Sequence, residues 1–318
     1  MAHKNINEFV IGDNICDYYI LKSFYLKLTR TNKQYLDVTL ADKTGTISGK
    51  LWDVPEEMLA NLTNGCFVSA VFSVSSYNDM LQADIKGIAK VSSTDLTKAE
   101  IEALVPCIDE NPDELFDELV STLNSFKNEQ FKELGLSAIN HLKSDLVSYP
   151  GAKSVHHSEI GGLLLHTVEV VRFVKAIHAV TPWFDEEISI LGAMLHDIGK
   201  IQEFTLGDTG LVADYSAKGQ LLGHIYMGTE YMGNLCIAYG ISEEKTMLLQ
   251  HIILAHHGKP EFGSAISPHT MEAEVVHMAD DLSAKLHVYK DAIKDIEPGE
   301  FSDRIFALDG VKVYRPKD

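Results

Sequence analysis

Nowhere in the 318 residues does an apolar run approach the roughly 18 that a membrane-spanning helix needs, so a helical membrane protein is excluded. Cysteine is scarce: Cys16, Cys66, Cys107 and Cys236 lie far apart and form no C-x-x-C pair. That spacing fits neither a disulfide framework nor a cysteine-rich zinc site, and it suits a reducing compartment. The first eight residues contain no apolar segment, so no secretory leader is expected and a soluble cytoplasmic protein is anticipated. Basic residues are outnumbered, 27 Lys and Arg against 46 Asp and Glu, giving a net charge of −19. Such a chain lacks the basic footprint of a nonspecific nucleic-acid coat and has no attraction to an anionic membrane surface. Residues 1–95 hold 9 basic and 11 acidic side chains, so a net −17 belongs to the remainder. Positive charge can still be supplied locally by a bound cation.

The length predicts about two domains. Up to residue 95 the chain alternates apolar and polar residues over Tyr18 to Leu28, Tyr35 to Leu40, Gly45 to Trp52, Cys66 to Val74 and Met80 to Val91. Turn signals such as Asp42-Lys43-Thr44-Gly45 and Asn64-Gly65 separate these runs, which predicts five strands in a small closed barrel. A short helix is expected from Val54 to Asn61. Helical periodicity then dominates: Asp113 to Phe126, Asn128 to Ser148, Gly162 to Ala179, Asp185 to Asp197, Gly219 to Tyr239, Ser242 to His256 and Thr270 to Ala292. Thr181-Pro182 reads as a helix start, Gly240 and Gly258 as stops, residues 205–218 as a loop or short hairpin, and residues 305–317 as a final strand pair. The fold class is therefore multidomain β plus α: a barrel over 1–95, a helical linker over 96–150, and a helical bundle over 151–318.

Most of the 14 histidines follow residue 140. The sharpest motif is His196-Asp197-Ile198-Gly199-Lys200, at the end of an apolar helix. Around it lie His166, His224, the pair His256-His257, and Asp280-Asp281, about one helical hairpin apart. Side chains projecting inward from facing helices are how bundles build metal sites. Buried polar groups on several apolar helices are costly unless they share a partner. Imidazole with carboxylate suits Mn, Fe, Zn, Co or Mg, and a carboxylate such as Asp197 can bridge two ions in a phosphoester-hydrolysing centre. His156 and His157 are expected to line the cleft or to protonate a leaving group. His269 and His277 read as structural, and His178 suits a helix C-terminus.

The pattern H…HD…D, carried here by His166, His196-Asp197 and Asp280, resembles the HD-domain metal-dependent phosphohydrolases. The H-D-I-G-K form with further histidines resembles their two-metal branch. That resemblance implies one ion held by His166, His196, Asp197 and Asp280, and a second by Asp197, His224 and either His256 or His257. It also implies that Lys200 contacts substrate phosphate, and that Asp281 is not the ligand of its pair.

The stretch from Tyr35 to Trp52 resembles the second and third strands of nucleic-acid-binding OB-folds, whose aromatic platforms stack bases while Lys and Arg follow phosphates. The substrate-binding candidates are Arg30, Lys33, Tyr35, Lys50, Trp52 and Tyr77. Alternation alone leaves open whether Tyr35 and Trp52 stack bases or fill the barrel. The order OB-fold, helical linker, HD domain resembles the YhaM-type 3′-5′ exoribonucleases. The resemblance implies hydrolysis of single-stranded RNA to nucleoside 5′-monophosphates, with single-stranded DNA a secondary candidate substrate, Mn the favoured ion and a homo-oligomeric assembly. Two other readings stay open: a phosphohydrolase of small or cyclic nucleotides, and a non-catalytic nucleic-acid-binding regulator.

Overall fold

The computed structural model describes residues 3–29, 31–52, 59, 61–78, 80–153, 157–294 and 296–317. They form two compact units, one of Met1–Cys107 with Leu206–Ala213, the other of Ile108–Thr205 with Asp214–Asp318. Arg30, His156 and nearly all of the expected helix at Val54 to Asn61 lie outside the described residues.

The first unit is a closed five-stranded barrel: β1 (Asn14–Leu28), β2 (Gln34–Asp42), β3 (Gly45–Trp52), β4 (Cys66–Tyr77) and β5 (Met80–Lys90). The strand order is β1-β2-β3-β5-β4, with β4 closing on β1. Every pairing is antiparallel except β3 with β5. This is the OB-type barrel that the sequence predicts. Period-2 alternation sends Leu36, Val38 and Leu40 inward, where they are almost fully buried. Each contributes about 1.5–3 kcal/mol through burial. Closure bends β1, whose register slips between Leu21 and Ser23.

Asp42 ends β2 and fastens the N-terminal segment to the barrel. One carboxylate oxygen accepts from the Thr44 amide (2.7 Å), the Thr44 hydroxyl (2.6 Å) and the Gly45 amide (3.0 Å). The other accepts from the Ile6 amide at 2.7 Å and faces His3 Nε2 at 3.3 Å. His3 Nδ1 lies 3.0 Å from Asp17. The contact with Asp42 raises the His3 pKa above its ordinary 6.5, against the opposing effect of burial. The stabilisation from charged His3 is therefore full below pH about 6.5 and is lost as pH rises through the raised folded value. In chemical denaturation, the midpoint should fall between pH 6 and pH 9 by more in the wild type than in His3→Gln. Equal slopes in the two proteins would remove this role for His3.

The first unit also holds α1 (Lys98–Leu104), a helix that the periodicity did not reveal, started by a reciprocal Thr97–Glu100 capping box. The second unit contains α2 (Pro112–Asn124), α3 (Glu129–His141), α4 (Lys143–Leu146), α5 (Gly162–Val180), α6 (Glu186–Leu195), α7 (Lys200–Glu203), α8 (Ala217–Ala238), α9 (Glu243–Ala255) and α10 (Met271–Lys294). The expected long helix from Asn128 to Ser148 is two helices, broken at Leu142. Thr181-Pro182 does not start α6; Asp185 does, accepting from the Ile188 amide at 3.1 Å. The residue 305–317 tail forms only isolated bridges, Phe301 to Tyr314 and Ile305 to Val311.

One apolar core joins Leu119 and Leu123 of α2, Phe131 and Leu134 of α3, Val168 and Val171 of α5, Leu191 of α6, Ile252 of α9 and Val276 of α10. Helix α6 is buried on all sides, so the residues that follow it emerge inside the bundle. No helix among the described residues is long and apolar enough to cross a membrane.

Candidate metal centre

His196 and Asp197 lie in the turn between α6 and α7, and both are buried. The two oxygens of Asp197 face two different sets of side chains. Oδ2 lies 3.3 Å from His196 Nε2, 3.6 Å from His166 Nε2 and 2.7 Å from Lys200 Nζ. Asp280 of α10 joins this side, with Oδ1 3.1 Å from His166 Nε2 and 3.9 Å from His196 Nε2. On the other side, Oδ1 lies 3.7 Å from His224 Nε2 and 3.6 Å from His256 Nε2. Nitrogen or oxygen atoms of His166, His196 and Asp197 lie within 4.8 Å of one another, and so do those of Asp197, His224, His256 and His257.

The outward nitrogens explain why Nε2 is the inward one. His196 Nδ1 donates to the Ala193 carbonyl and His256 Nδ1 to the Ile253 carbonyl, each at 2.7 Å. His224 Nδ1 lies 3.0 and 3.1 Å from the two oxygens of Glu203. An imidazole that donates through Nδ1 presents a lone pair at Nε2. His224 Nε2, His256 Nε2 and Asp197 Oδ1 are buried acceptors with no hydrogen-bond partner. Buried lone pairs converging on a carboxylate oxygen are costly unless a cation sits among them. The donor set thus fits divalent metal, and outward acceptors on the imidazoles are the usual support of such ligands.

Charge within the site is strongly coupled. Burial alone would raise the Asp197 carboxyl, but Lys200 and His196 hold it well below the ordinary range. Burial lowers His256, and it pushes His257 down to about 3. His257 packs against both His224 and His256, with ring centroids 5.3 and 4.2 Å apart. A cleft of about 320 Å³ opens beside the site, lined by Asp197, Lys200, His257, Phe262, Asp280 and Lys285 among others. Asp281 also reaches this cleft but pairs with Lys285 at 2.7 Å.

His157 is placed differently from its expected role. Its ring is buried, is not among the cleft-lining residues, and faces Glu169 Oε2 at 3.5 Å. Burial pushes its pKa down to about 4. A ring enclosed in this way is poorly placed to protonate a leaving group. His277 donates through Nδ1 to the His256 carbonyl at 2.8 Å.

Sequence reasoning missed Glu203, Glu169, Ser283 and His287. Helical spacing could have found three of them: Glu169 is three residues after His166, while Ser283 and His287 are three and seven after Asp280. Glu203 has no such signal. It meets His224 because α8 kinks at Gly223 (φ 72°, ψ 158°), which also brings the His224 amide to Glu203 Oε1 at 3.0 Å.

On the barrel, four sequence candidates gather on one outer face. Tyr35 and Trp52 are cross-strand partners with ring centroids 5.1 Å apart. Lys50 Nζ lies 5.6 Å from the Tyr35 ring and 5.9 Å from the Tyr77 ring. Trp52 is 44% exposed and Tyr77 66%, so neither fills the barrel. Lys33 is exposed in the turn between β1 and β2.

The HD-domain family model matches residues 163–285, which span His166 to Asp280. The 3′-5′ exoribonuclease YhaM of Halalkalibacterium halodurans is 30% identical over 313 residues, covering 98% of this chain and 96% of that protein. Two solved structures show weaker likeness. The second OB-fold domain of replication protein A from Methanococcus maripaludis is 17% identical, with 28% of this chain and 93% of that one covered and a TM-score of 0.24. The HD domain of the L. monocytogenes phosphodiesterase PgpH is also 17% identical, with 49% and 75% covered and a TM-score of 0.30. The near-complete coverage by YhaM, together with the HD match over the stretch from His166 to Asp280, means that this chain belongs to the YhaM family of 3′-5′ exoribonucleases, hydrolases that join an OB-type barrel to an HD domain.

Proposed function

We propose that the protein is a metal-dependent exonuclease that removes nucleoside 5′-monophosphates from the 3′ end of single-stranded RNA, with Mn the working ion. The observation that carries this reading is Asp197, whose two oxygens face two sets of inward imidazole nitrogens beside an open cleft. His166, His196, Asp197 and Asp280 would hold one cation; Asp197, His224 and His256, with His257 at the same cluster, would hold another. Bound divalent ions would supply a water of lowered pKa and neutralise charge on the phosphoryl oxygens.

The remaining work falls to the chain itself. Lys200 Nζ, on the cleft wall, would contact the substrate phosphate and offset its developing charge. Phe262, 66% exposed on the same cleft, offers a ring face to the terminal base. Tyr35, Trp52 and Tyr77 would stack upstream bases, with Lys50 and Lys33 near the backbone. Domain roles follow: the barrel at 1–95 grips RNA, and the region from 151 carries out hydrolysis.

A time course on single-stranded RNA labelled at either end, with Mn, Mg or chelator, tests polarity, products and metal dependence together. RNA labelled at the 5′ end should shorten progressively, and chelator should stop it. Faster turnover of mononucleotides or cyclic dinucleotides than of RNA would reject the proposal, as would binding without hydrolysis under every ion. A parallel single-stranded DNA substrate reads sugar preference. Trp52→Ala should weaken RNA binding roughly 5- to 150-fold, the loss of one base-stacking contact, while leaving metal uptake unchanged. Undiminished RNA affinity in that variant would remove the stacking role.

A further inference from the structure

His166 is supported in a way that His196, His224 and His256 are not. His166 Nδ1 lies 3.0 Å from the Ser283 hydroxyl, which in turn donates to Glu169 Oε2 at 2.7 Å. Glu169 Oε1 lies 2.9 Å from His287 Nε2, and His157 Nε2 is 3.5 Å from Oε2. Ser283 is buried, and Glu169 sits on α5 one turn beyond His166.

A serine hydroxyl can donate or accept, so alone it would not choose between the two tautomers of His166. An ionised carboxylate can only accept. Once Glu169 takes the single hydroxyl proton, Ser283 has only lone pairs left for His166. Nδ1 must then carry a proton, and in a neutral ring Nε2 presents a lone pair toward His196 and Asp280. His157, His287 and Ser283 together hold the Glu169 carboxyl well below its ordinary range, although burial alone would raise it. His157, Glu169 and His287 are close enough for a metal of their own, but the 2.9 Å contact already joins Glu169 to His287 by a hydrogen bond.

We propose that Glu169 and Ser283 are positioning residues, which act through one hydroxyl to fix the tautomer of His166 and so aim its Nε2 at the cation. This rests on the metal reading above. It assigns a purpose to Glu169 and Ser283, which do not line the cleft and reach the centre through His166 Nδ1.

The test compares the full-length wild type with Ser283→Ala and Glu169→Gln. Glu169→Gln is the sharper variant: it keeps size and hydroxyl, but its amide can donate to Ser283 and release the hydroxyl proton toward His166 Nδ1. Titration with Mn²⁺, following the free ion by electron paramagnetic resonance, should show about 10- to 100-fold weaker binding in both variants. Long-range ¹⁵N–¹H correlation on the metal-free proteins should find the His166 proton on Nδ1 in the wild type, and partly or wholly on Nε2 in the variants. A merely structural role would move thermal stability and leave the tautomer alone. Wild-type Mn²⁺ affinity in both folded variants overturns the proposal, as does a wild-type His166 protonated on Nε2. If the wild type itself takes up no Mn²⁺, the metal reading fails, while the nitrogen spectra of the wild type still decide the tautomer.

Discussion

Asp197→Asn is expected to lower turnover by at least about 10³-fold, above the 10²–10³ lost with a single transition-state hydrogen-bond donor. The substitution keeps volume and shape, so the α6–α7 turn should stay folded and barrel binding of RNA should be unaffected. What changes is the chemistry of two faces at once. The wild-type carboxylate offers one anionic oxygen to His166 and His196 and the other to His224 and His256. An asparagine amide has one neutral oxygen and one nitrogen that donates, so whichever way it turns, one set of imidazoles meets a donated hydrogen in place of an anionic oxygen. That hydrogen would satisfy a lone pair that the wild type leaves without a partner, such as His256 Nε2. The variant therefore trades a cation site for an ordinary hydrogen bond. Trimming of end-labelled RNA with added Mn, followed alongside circular dichroism, checks this. A folded Asp197→Asn protein that trims at more than about a hundredth of the wild-type rate would remove Asp197 from the centre.

The barrel was legible because a strand in a small barrel has one wet face and one dry face. In β2, Leu36, Val38 and Leu40 alternate with Tyr35, Asp37 and Thr39, and the closed barrel buries the first set. What alternation could not decide was the role of Tyr35 and Trp52, since an aromatic at a strand end can pack on either side; their partnership and the exposure of Trp52 come only from the pairing of β2 with β3. The histidines were legible as a set because each follows or rides an apolar helix. Their supports were harder to see. Ser283 and His287 continue the stripe of Ala273, Val276 and Ala279 along α10, a place where the pattern expects apolar residues. Glu203 depends on the Gly223 kink, a tertiary event with no local signature. The helix start at Thr181-Pro182 was misplaced because Asp185, three residues later, supplies an oxygen to a helix amide that Thr181 does not.

Gly199→Ala is expected to be strongly damaging, even though the Gly199 backbone (φ −62°, ψ −21°) is one that any residue adopts. The obstacle is space. A Cβ at position 199 would lie 2.1 Å from the His224 carbonyl oxygen, 2.8 Å from its carbon and 2.9 Å from the Gly228 amide nitrogen. All three are backbone atoms, so no side chain can swing aside, and α8 as a whole must retreat from the His196–Lys200 turn. Overpacking of this kind costs about 1–3 kcal/mol, occasionally more. The retreat carries His224 with it, away from Asp197 Oδ1, while His166 and Asp280 ride other helices and His196 lies in the α6–α7 turn. Stability and chemistry should therefore part company. Unfolding of the metal-free variant should show a lowered midpoint, and Mn²⁺ titration should show the His224 side of the centre weakened more than the His166 side. Turnover should fall more than the loss of folded protein explains, because the geometry around the shared carboxylate is broken on one face. A Gly199→Ala protein as stable and as active as the wild type would mean that α8 can move without moving His224, and the close approach of the two backbones would then have no part in building the site.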